Sequence, residues 1–300
     1  MNPILFSMPG NAILGAQLKA CLPSADGMLE IHRFPDGECC PRFVTPVAGR
    51  DVVIACALDA PDDKIMPLYL AACVARELGA RSVGLVVPYL PYMRQDARFR
   101  EDEGITSVHF ARLLSSCCDW MVTVDPHLHR HPTLSAIYSI ATEVVHAAPA
   151  ISDWIAANVV RPVVVGPDAE SEQWVAQVAA AAGCPFTVLS KIRSGDHAVE
   201  VSVPDTAAWE GMTPVLVDDI ISTARTMVAA AQQITAAGMA APVCIGVHAL
   251  FAGDALDALQ AAGVQRIVTC NTVQHATNGI NLSSAIAAAV GGLLSARAIN

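Results

Sequence analysis

Charge is scarce in this sequence, and basic charge most of all. Charged residues make up 15% of the 300, and 18 Lys plus Arg stand against 28 Asp plus Glu, a net charge of −10 at pH 7. With no basic stripe to neutralise a phosphate backbone, a nucleic-acid partner is excluded. An anionic small substrate would need locally placed Arg, Lys or a bound metal. Long apolar runs are also missing: none reaches the roughly 18–20 residues that cross a bilayer. The longest candidates, 227–250 and 280–294, are broken by Gln232, Gln233, Asn281, Ser283 and Ser284, so no membrane partner is expected. The first basic residue is Lys19, so the charged start of a signal peptide is absent and a cytoplasmic location is expected. The ten cysteines are scattered and never spaced C-x-x-C. That argues against a zinc ribbon or a thioredoxin-type motif and for buried apolar thiols.

What the chain has in quantity is apolar sequence, 53% of its residues, which fits strands buried on both faces. Three hundred residues exceed what one core usually fills, so two domains are expected. Strand-like and helix-like runs alternate. Strands are expected at 51–58, 82–88, 120–125, 162–166, 186–191, 214–217, 243–249 and 266–270. Helices are expected at 66–78, 107–116, 152–158, 172–182, 227–237 and 254–262, several closed by a glycine. This is an α/β pattern, with mostly parallel sheets flanked by helices. The two halves resemble an architectural duplication, in which acids follow a buried strand at Asp125 and at Asp218-Asp219. The boundary is placed at 146/147, with Ala147-Ala148-Pro149-Ala150 as a short linker. The last helix, 283–297, is a candidate to pack back on the first half.

The segment Val215–Thr226 is the most informative. A buried strand is expected to end at two adjacent carboxylates, followed by small and hydroxyl residues and then a helix. The first N–H groups of a helix lack internal partners and attract anions, while paired acids suit sugar hydroxyls or a divalent cation. A ligand carrying both a phosphate and a polyol follows. In the first half, the loop after Pro88 carries Arg94, Arg98 and Arg100, which read either as forked donors for phosphate at the carboxyl end of a strand or as a solvated basic turn. The segment Asp125-Pro126-His127-Leu128-His129-Arg130-His131 places an acid and three histidines past another strand. Alternation would put the three rings on one face of an extended segment. Zinc is one reading; Mg2+ with ATP oxygens and one neutral His is the other. Asp168 ends a further strand, and Lys191 and Arg193 precede a turn at 194–196.

Taken in order, these motifs resemble the ribose-phosphate pyrophosphokinases, the enzymes that make phosphoribosyl pyrophosphate (PRPP). The resemblance covers nearly the whole chain and implies two phosphoribosyltransferase-type, Rossmann-like domains, 1–146 on the ATP side and 147–300 on the ribose 5-phosphate side. Arg33–Glu38 resembles the family's adenine-side element, supplied by a neighbouring subunit, which implies ATP contacts from Phe34, Asp36 and Glu38 and a homo-oligomer built from dimers. Pro88–Asp96 resembles its ATP loop, implying Arg94, Gln95 and Asp96. Asp125-Pro126-His127 resembles the magnesium–ATP histidine segment and Gly166-Pro167-Asp168 the pyrophosphate loop, so His127 and Asp168 are the implied Mg2+ ligands. Lys191 and Arg193 match the Lys-x-Arg of the catalytic loop. Asp218 to Thr226 matches the PRPP fingerprint, implying ribose 5-phosphate contacts from Asp218, Asp219, Ser222, Thr223, Ala224, Arg225 and Thr226. Cys270-Asn271-Thr272-Val273 resembles the family's turn after its last strand. Ile220–Thr223 and the short loop 101–106 are nearer the archaeal-type branch.

Two departures bear on activity. The usual Gly-Gly of the ribose-phosphate loop is Ala224-Arg225, and Ala and Arg tolerate positive φ poorly. The glycines expected after Asp168 are Glu170-Ser171, which add negative charge, and Trp174 holds a usually basic position. PRPP synthesis from ATP and ribose 5-phosphate is the leading expectation. A catalytically inactive regulatory homologue and a PRPP-dependent phosphoribosyltransferase are the alternatives.

Overall fold

The computed structural model describes residues 2–168, 171–194, 198–202 and 206–299. The chain divides into two compact units: unit 1 comprises 1–145, 272–274 and 282–300, and unit 2 comprises 146–271 and 275–281.

Unit 1 runs β1 (Ile4–Ser7), α1 (Ala12–Cys21), β2 (Ala25–Asp26), β3 (Leu29–Arg33), β4 (Cys39–Phe43), β5 (Asp51–Ala55), α2 (Pro61–Glu77), β6 (Ser82–Val86), α3 (Thr106–Cys117), β7 (Trp120–Val124) and β8 (Ala141–Val145). Its sheet has the order β2-β1-β5-β6-β7-β8, and every neighbouring pair is parallel. Strands β6 and β7 are buried along their whole length, as a sheet covered on both faces requires. β3 and β4 form a separate antiparallel hairpin, seated by an edge-to-face contact of Phe43 on Phe6 at 4.9 Å. The C-terminal helix Ser283–Ile299 packs on α1, β7 and β8 within this unit. α2 begins five residues before the expected Met66, because Pro61 presets the first turn and Asp62 and Asp63 complement its exposed N–H groups.

Unit 2 runs α4 (Ala148–Asn158), β9 (Pro162–Gly166), α5 (Glu172–Ala182), β10 (Phe186–Val188), β11 (Ser190–Ser194), β12 (Ala198–Ser202), β13 (Thr213–Ile221), α6 (Arg225–Ala236), β14 (Val243–Ala249), α7 (Ala255–Ala261), β15 (Arg266–Cys270) and β16 (Asn278–Ile280). Its sheet order is β10-β9-β13-β14-β15-β16, again parallel throughout. β11 and β12 make an antiparallel ribbon. α6 buries Met227, Ala230, Ala231 and Ile234, the one-sided helical spacing that its sequence predicts. α5 stops where Gly183 takes φ +65, a left-handed conformation that glycine adopts without strain.

Counted along each sheet, both units have strand order 2-1-3-4-5-6, with a two-stranded antiparallel ribbon inserted between the second and third strands. The α/β class and parallel sheets are as expected. Three readings need correcting. Ala148-Pro149-Ala150 is the first turn of α4 rather than a linker, since proline suits the start of a helix. β13 does not end at Val217 but continues through both acids to Ile221, paired to β14 as far as Ile221↔Ala249. Cys21 and Cys40 are exposed, while Cys56, Cys117, Cys118, Cys244 and Cys270 are the buried thiols.

Close packing of unit 1 depends on a missing side chain at Gly84. A Cβ there would stand 2.0 Å from the ring of Trp120, which is fully buried and has no room to retreat. Gly84→Ala is expected to destabilise the protein by about 2–3 kcal/mol, lowering the melting temperature by roughly 5–10 °C in scanning calorimetry. An unchanged transition would show that the indole can be accommodated elsewhere.

Candidate active site

In unit 2 the winding reverses between β9 and β13. From β9 the chain steps through α5 to β10 on one side, and after the ribbon it resumes on the other side at β13. Such a reversal opens a crevice beyond the carboxyl ends of the two strands. Asp168 stands just past β9, and Asp218 and Asp219 stand near the end of β13. Asp218 Oδ1 accepts the Asp219 N–H at 3.0 Å. Burial, together with the negative charge of Asp219 and a smaller contribution from Asp168, pushes the Asp218 carboxyl well above the usual range. A pair in which one acid keeps its proton presents a donor beside an acceptor, the complement of a sugar's neighbouring hydroxyls.

Ser222, Thr223 and Ala224 link β13 to α6. The loop is pinned by Phe251 N–H to Ile221 O at 2.9 Å and by Ala252 N–H to Ser222 O at 3.0 Å. Ala224 adopts φ +56, so the left-handed conformation expected of glycine is kept by alanine. Its methyl group packs into the unit 2 core. Arg225 opens α6 and is exposed, as is Thr223, while Ser222 and Thr226 are half-buried. The sequence therefore delivers hydroxyls, one cation and free helix N–H groups to one loop. Behind Asp168, the Ser171 hydroxyl and N–H both donate to the Asp168 carbonyl, at 2.6 and 3.2 Å. Gly166 makes room for that turn, because a Cβ would come within 2.5 Å of Ser171 Oγ. Trp174 is half-buried on α5. Glu170 lies outside the described residues. Lys191 and Arg193 stand on β11, and their side chains lie outside the described residues.

In unit 1 the loop after β6 is anchored by Met93, which is buried, and by Tyr92. The Tyr92 hydroxyl donates to Asp62, and its ring packs 4.8 Å from Phe110. Between these anchors and Asp96, the side chains of Arg94 and Gln95 are exposed. Asp96 is not exposed with them. Its side chain is 1% accessible and its Oδ1 accepts from Arg130 Nη1 at 2.8 Å, while Arg130 lies 5.6 Å over the ring of Phe99. Asp96 therefore ties the loop to the segment after β7 instead of facing a ligand beside Gln95. Arg130 was not singled out from sequence, and only its place among the histidines hinted at a role.

That segment is not the extended strand expected from its alternation. Asp125 and His127 have φ +33 and +44, His127 N–H donates to Asp125 O at 2.9 Å, and His131 turns away to within 3.4 Å of Ser107 Oγ. At the β3–β4 tip, Phe34, Asp36 and Glu38 are all exposed. Phe34 stands edge-on to His32 at 4.5 Å, and Asp36 Oδ1 accepts from Glu38 N–H at 3.3 Å.

Two parallel sheets and a carboxylate pair beside a phosphate-sized loop define a phosphoribosyltransferase-type α/β protein. Residues 134–284 match the phosphoribosyl transferase domain, and residues 3–117 match the N-terminal domain of ribose phosphate pyrophosphokinase. The ribose-phosphate pyrophosphokinase of Methanopyrus kandleri is 33% identical over 279 residues, covering 92% of this chain and 94% of its own. That of Sulfolobus acidocaldarius is 30% identical, covering 85% and 87%. The crystal structure of phosphoribosylpyrophosphate synthetase from Mycobacterium smegmatis shares the fold, with a TM-score of 0.87 at 23% identity over 98% of this chain and 99% of that one. The chain belongs to the ribose-phosphate pyrophosphokinase family.

The raised Asp218 carboxyl fixes the sign of a pH effect. Its proton is held to higher pH in the folded state than in the unfolded chain. The stabilisation is therefore complete below the unfolded value near 3.8 and is lost as pH rises through the folded value. Asp218→Asn removes that dependence. Urea denaturation is expected to show the variant gaining on the wild type as pH rises from 4 to 8, and parallel profiles would contradict it.

Proposed function

We propose that this protein is a ribose-phosphate diphosphokinase that transfers the diphosphoryl group of ATP to the C1 hydroxyl of ribose 5-phosphate. The C1 oxygen attacks the β-phosphorus and loses its proton. The bond from the β-phosphorus to the α,β-bridging oxygen breaks, and AMP leaves with the electron pair. The observation that carries this reading is the Asp218–Asp219 pair beside the α6 N-terminus, in a chain of this family along nearly its whole length. Transfer of this kind depends on positioning and charge neutralisation far more than on covalent chemistry.

Asp218 and Asp219 would bind the ribose hydroxyls. Ser222, Thr223, Ala224, Arg225 and Thr226 would hold the 5-phosphate through N–H groups, hydroxyls and one guanidinium. Arg94 and Gln95 would hold ATP, with Asp96 acting through Arg130 as a positioning residue. Phe34, Asp36 and Glu38, exposed on a hairpin tip, suit an adenine site completed by a second copy in a homo-oligomer. Lys191 and Arg193 are read as the cations that neutralise the transferring group. The carboxylates of Asp168 and the Asp218–Asp219 pair are the hard oxygen donors that Mg2+ takes, and Mg2+ held there would offset polyphosphate charge. His127, the other expected Mg2+ ligand, offers nitrogen instead. No described helix is long and apolar enough to cross a membrane, and a cytoplasmic location goes with this reading.

The regulatory alternative draws its support from Ala224-Arg225 and Glu170-Ser171. Ala224 keeps the left-handed conformation, so the substitution leaves the loop its shape, which favours the enzyme reading. Incubation with ATP, ribose 5-phosphate and Mg2+ is expected to release AMP. Lys191→Ala should lower turnover by about 10²–10³-fold while calorimetric ATP binding persists. Binding of both substrates without AMP release would favour the regulatory homologue. Consumption of PRPP with a base, giving the nucleoside monophosphate and pyrophosphate without ATP, would favour the transferase.

A further inference from the structure

We infer that His127 and His129 form a two-imidazole site for a late first-row divalent cation such as Co2+ or Ni2+. The inference rests on the proposed reading of His127 as a cation ligand, and adds to it a second donor and a metal class. Two residues apart in a regular strand stand about 6.5 Å apart. Here the tight turn at Asp125-Pro126-His127 brings the two rings to 4.0 Å between centroids, inclined by 56°, with ligand nitrogens within 4.8 Å of each other. Nitrogens sharing one cation at about 2.1 Å each stand roughly 3–4 Å apart, so a small rotation about the ring torsions closes the pair.

The turn is held in place rather than incidental. Positive φ at two non-glycine residues, Asp125 and His127, is strained backbone. The strain persists because Asp125 N–H is fixed to Val145 O at 3.1 Å and His127 N–H to Asp125 O. Leu128, between the two histidines, packs on the unit 1 core, which anchors the segment. His127 is half-buried and His129 exposed, so the donors are open to solvent on one side. Their neighbours are committed elsewhere: His131 is set against Ser107 and Arg130 is paired with Asp96.

Donor chemistry sets the metal class. Mg2+ takes oxygen and sheds water reluctantly, whereas neutral imidazole suits cobalt, nickel, copper and zinc, with affinity rising along that series to copper. One histidine among oxygens is compatible with Mg2+. A second imidazole adds nothing for Mg2+ and much for the later metals.

The test is calorimetric titration of the intact chain with Co2+ and with Mg2+, without nucleotide or sugar phosphate. Co2+ is expected to bind at least about tenfold more tightly than Mg2+. His129→Gln should weaken Co2+ by a similar factor and leave Mg2+ unchanged, and His129→Ala should behave alike. Proton NMR of the Co2+-loaded protein should show two hyperfine-shifted imidazole N–H resonances in the wild type and one in either variant. Equal Co2+ affinity in wild type and both variants, or Mg2+ binding as tight as Co2+, would overturn the inference. The outcomes are separable from the proposed activity. Co2+ bound through both histidines by a chain that releases no AMP sinks the activity alone, and AMP release by a chain with no histidine-dependent Co2+ binding sinks the site alone.

Discussion

The constraint on which the structure depends is the reversal of winding within each parallel sheet. Parallel strands bury both faces and leave only their ends for chemistry. Where successive connections turn in opposite directions, two strand ends are left without a helix crossing above them. In unit 2 that gap falls between β9 and β13, and it is there that carboxylates gather. Three of its carboxylates, Asp168, Asp218 and Asp219, lie at two adjacent strand ends in a protein with few charges. Only a site that later receives a cation or hydroxyl donors makes such crowding sustainable. Burial first, and the neighbouring charge of Asp219 after it, raise the Asp218 carboxyl.

Magnitudes explain why alanine can stand where glycine is expected. A left-handed alanine costs about 1–2 kcal/mol. Against that, alanine narrows the unfolded ensemble relative to glycine by about 0.4–1 kcal/mol. The Ala224 methyl is also buried in the core of unit 2, and a buried methyl contributes about 0.8 kcal/mol. The terms cancel to within about 1 kcal/mol, so residue 224 can change without reshaping the loop. What changes is charge, because the neighbouring Arg225, exposed at the start of α6, carries a guanidinium that a glycine pair lacks.

The elements legible from sequence were those whose signal is local. α6 announces itself through Met227, Ala230, Ala231 and Ile234, and β9 through an unbroken apolar run. β1, the β3–β4 hairpin and β8 gave no such signal. The exposed, mixed pattern of the hairpin is stabilised by Phe43 meeting Phe6, 37 positions earlier in the chain. The acids at 218 and 219 are poor strand formers, yet the ladder to β14 carries the strand through them. Within the site, Arg94, Gln95 and Asp96 look equivalent as text. Asp96 alone is withdrawn from the surface, by Arg130, 34 residues away, and no local spacing contains that partner. The histidine segment misled for the same reason: alternation implies an extended strand, but a hydrogen bond to Val145 in β8 holds a turn.

The duplication then explains why one fold carries two different chemistries. Both sheets share one strand order and one ribbon insertion, so unit 1 has a reversal of its own between β1 and β5. There the gap is filled by the protein itself. Asn11 is 3% exposed; its Oδ1 accepts from Ala57 N–H at 2.7 Å and its Nδ2 donates to Pro9 O at 3.1 Å. Nearby, Lys64 donates to the Ala57 carbonyl at 3.1 Å and pairs with Asp59 at 2.6 Å. With donors and acceptors already matched, that crevice has little left to offer a ligand. One and two strands further along, past β6 and β7, Arg94 and Gln95 are exposed, and of the paired histidines His127 is half-buried and His129 exposed. The two units share a strand order while their exposed polar groups stand at different strand ends, so position in the fold does not by itself identify a working end.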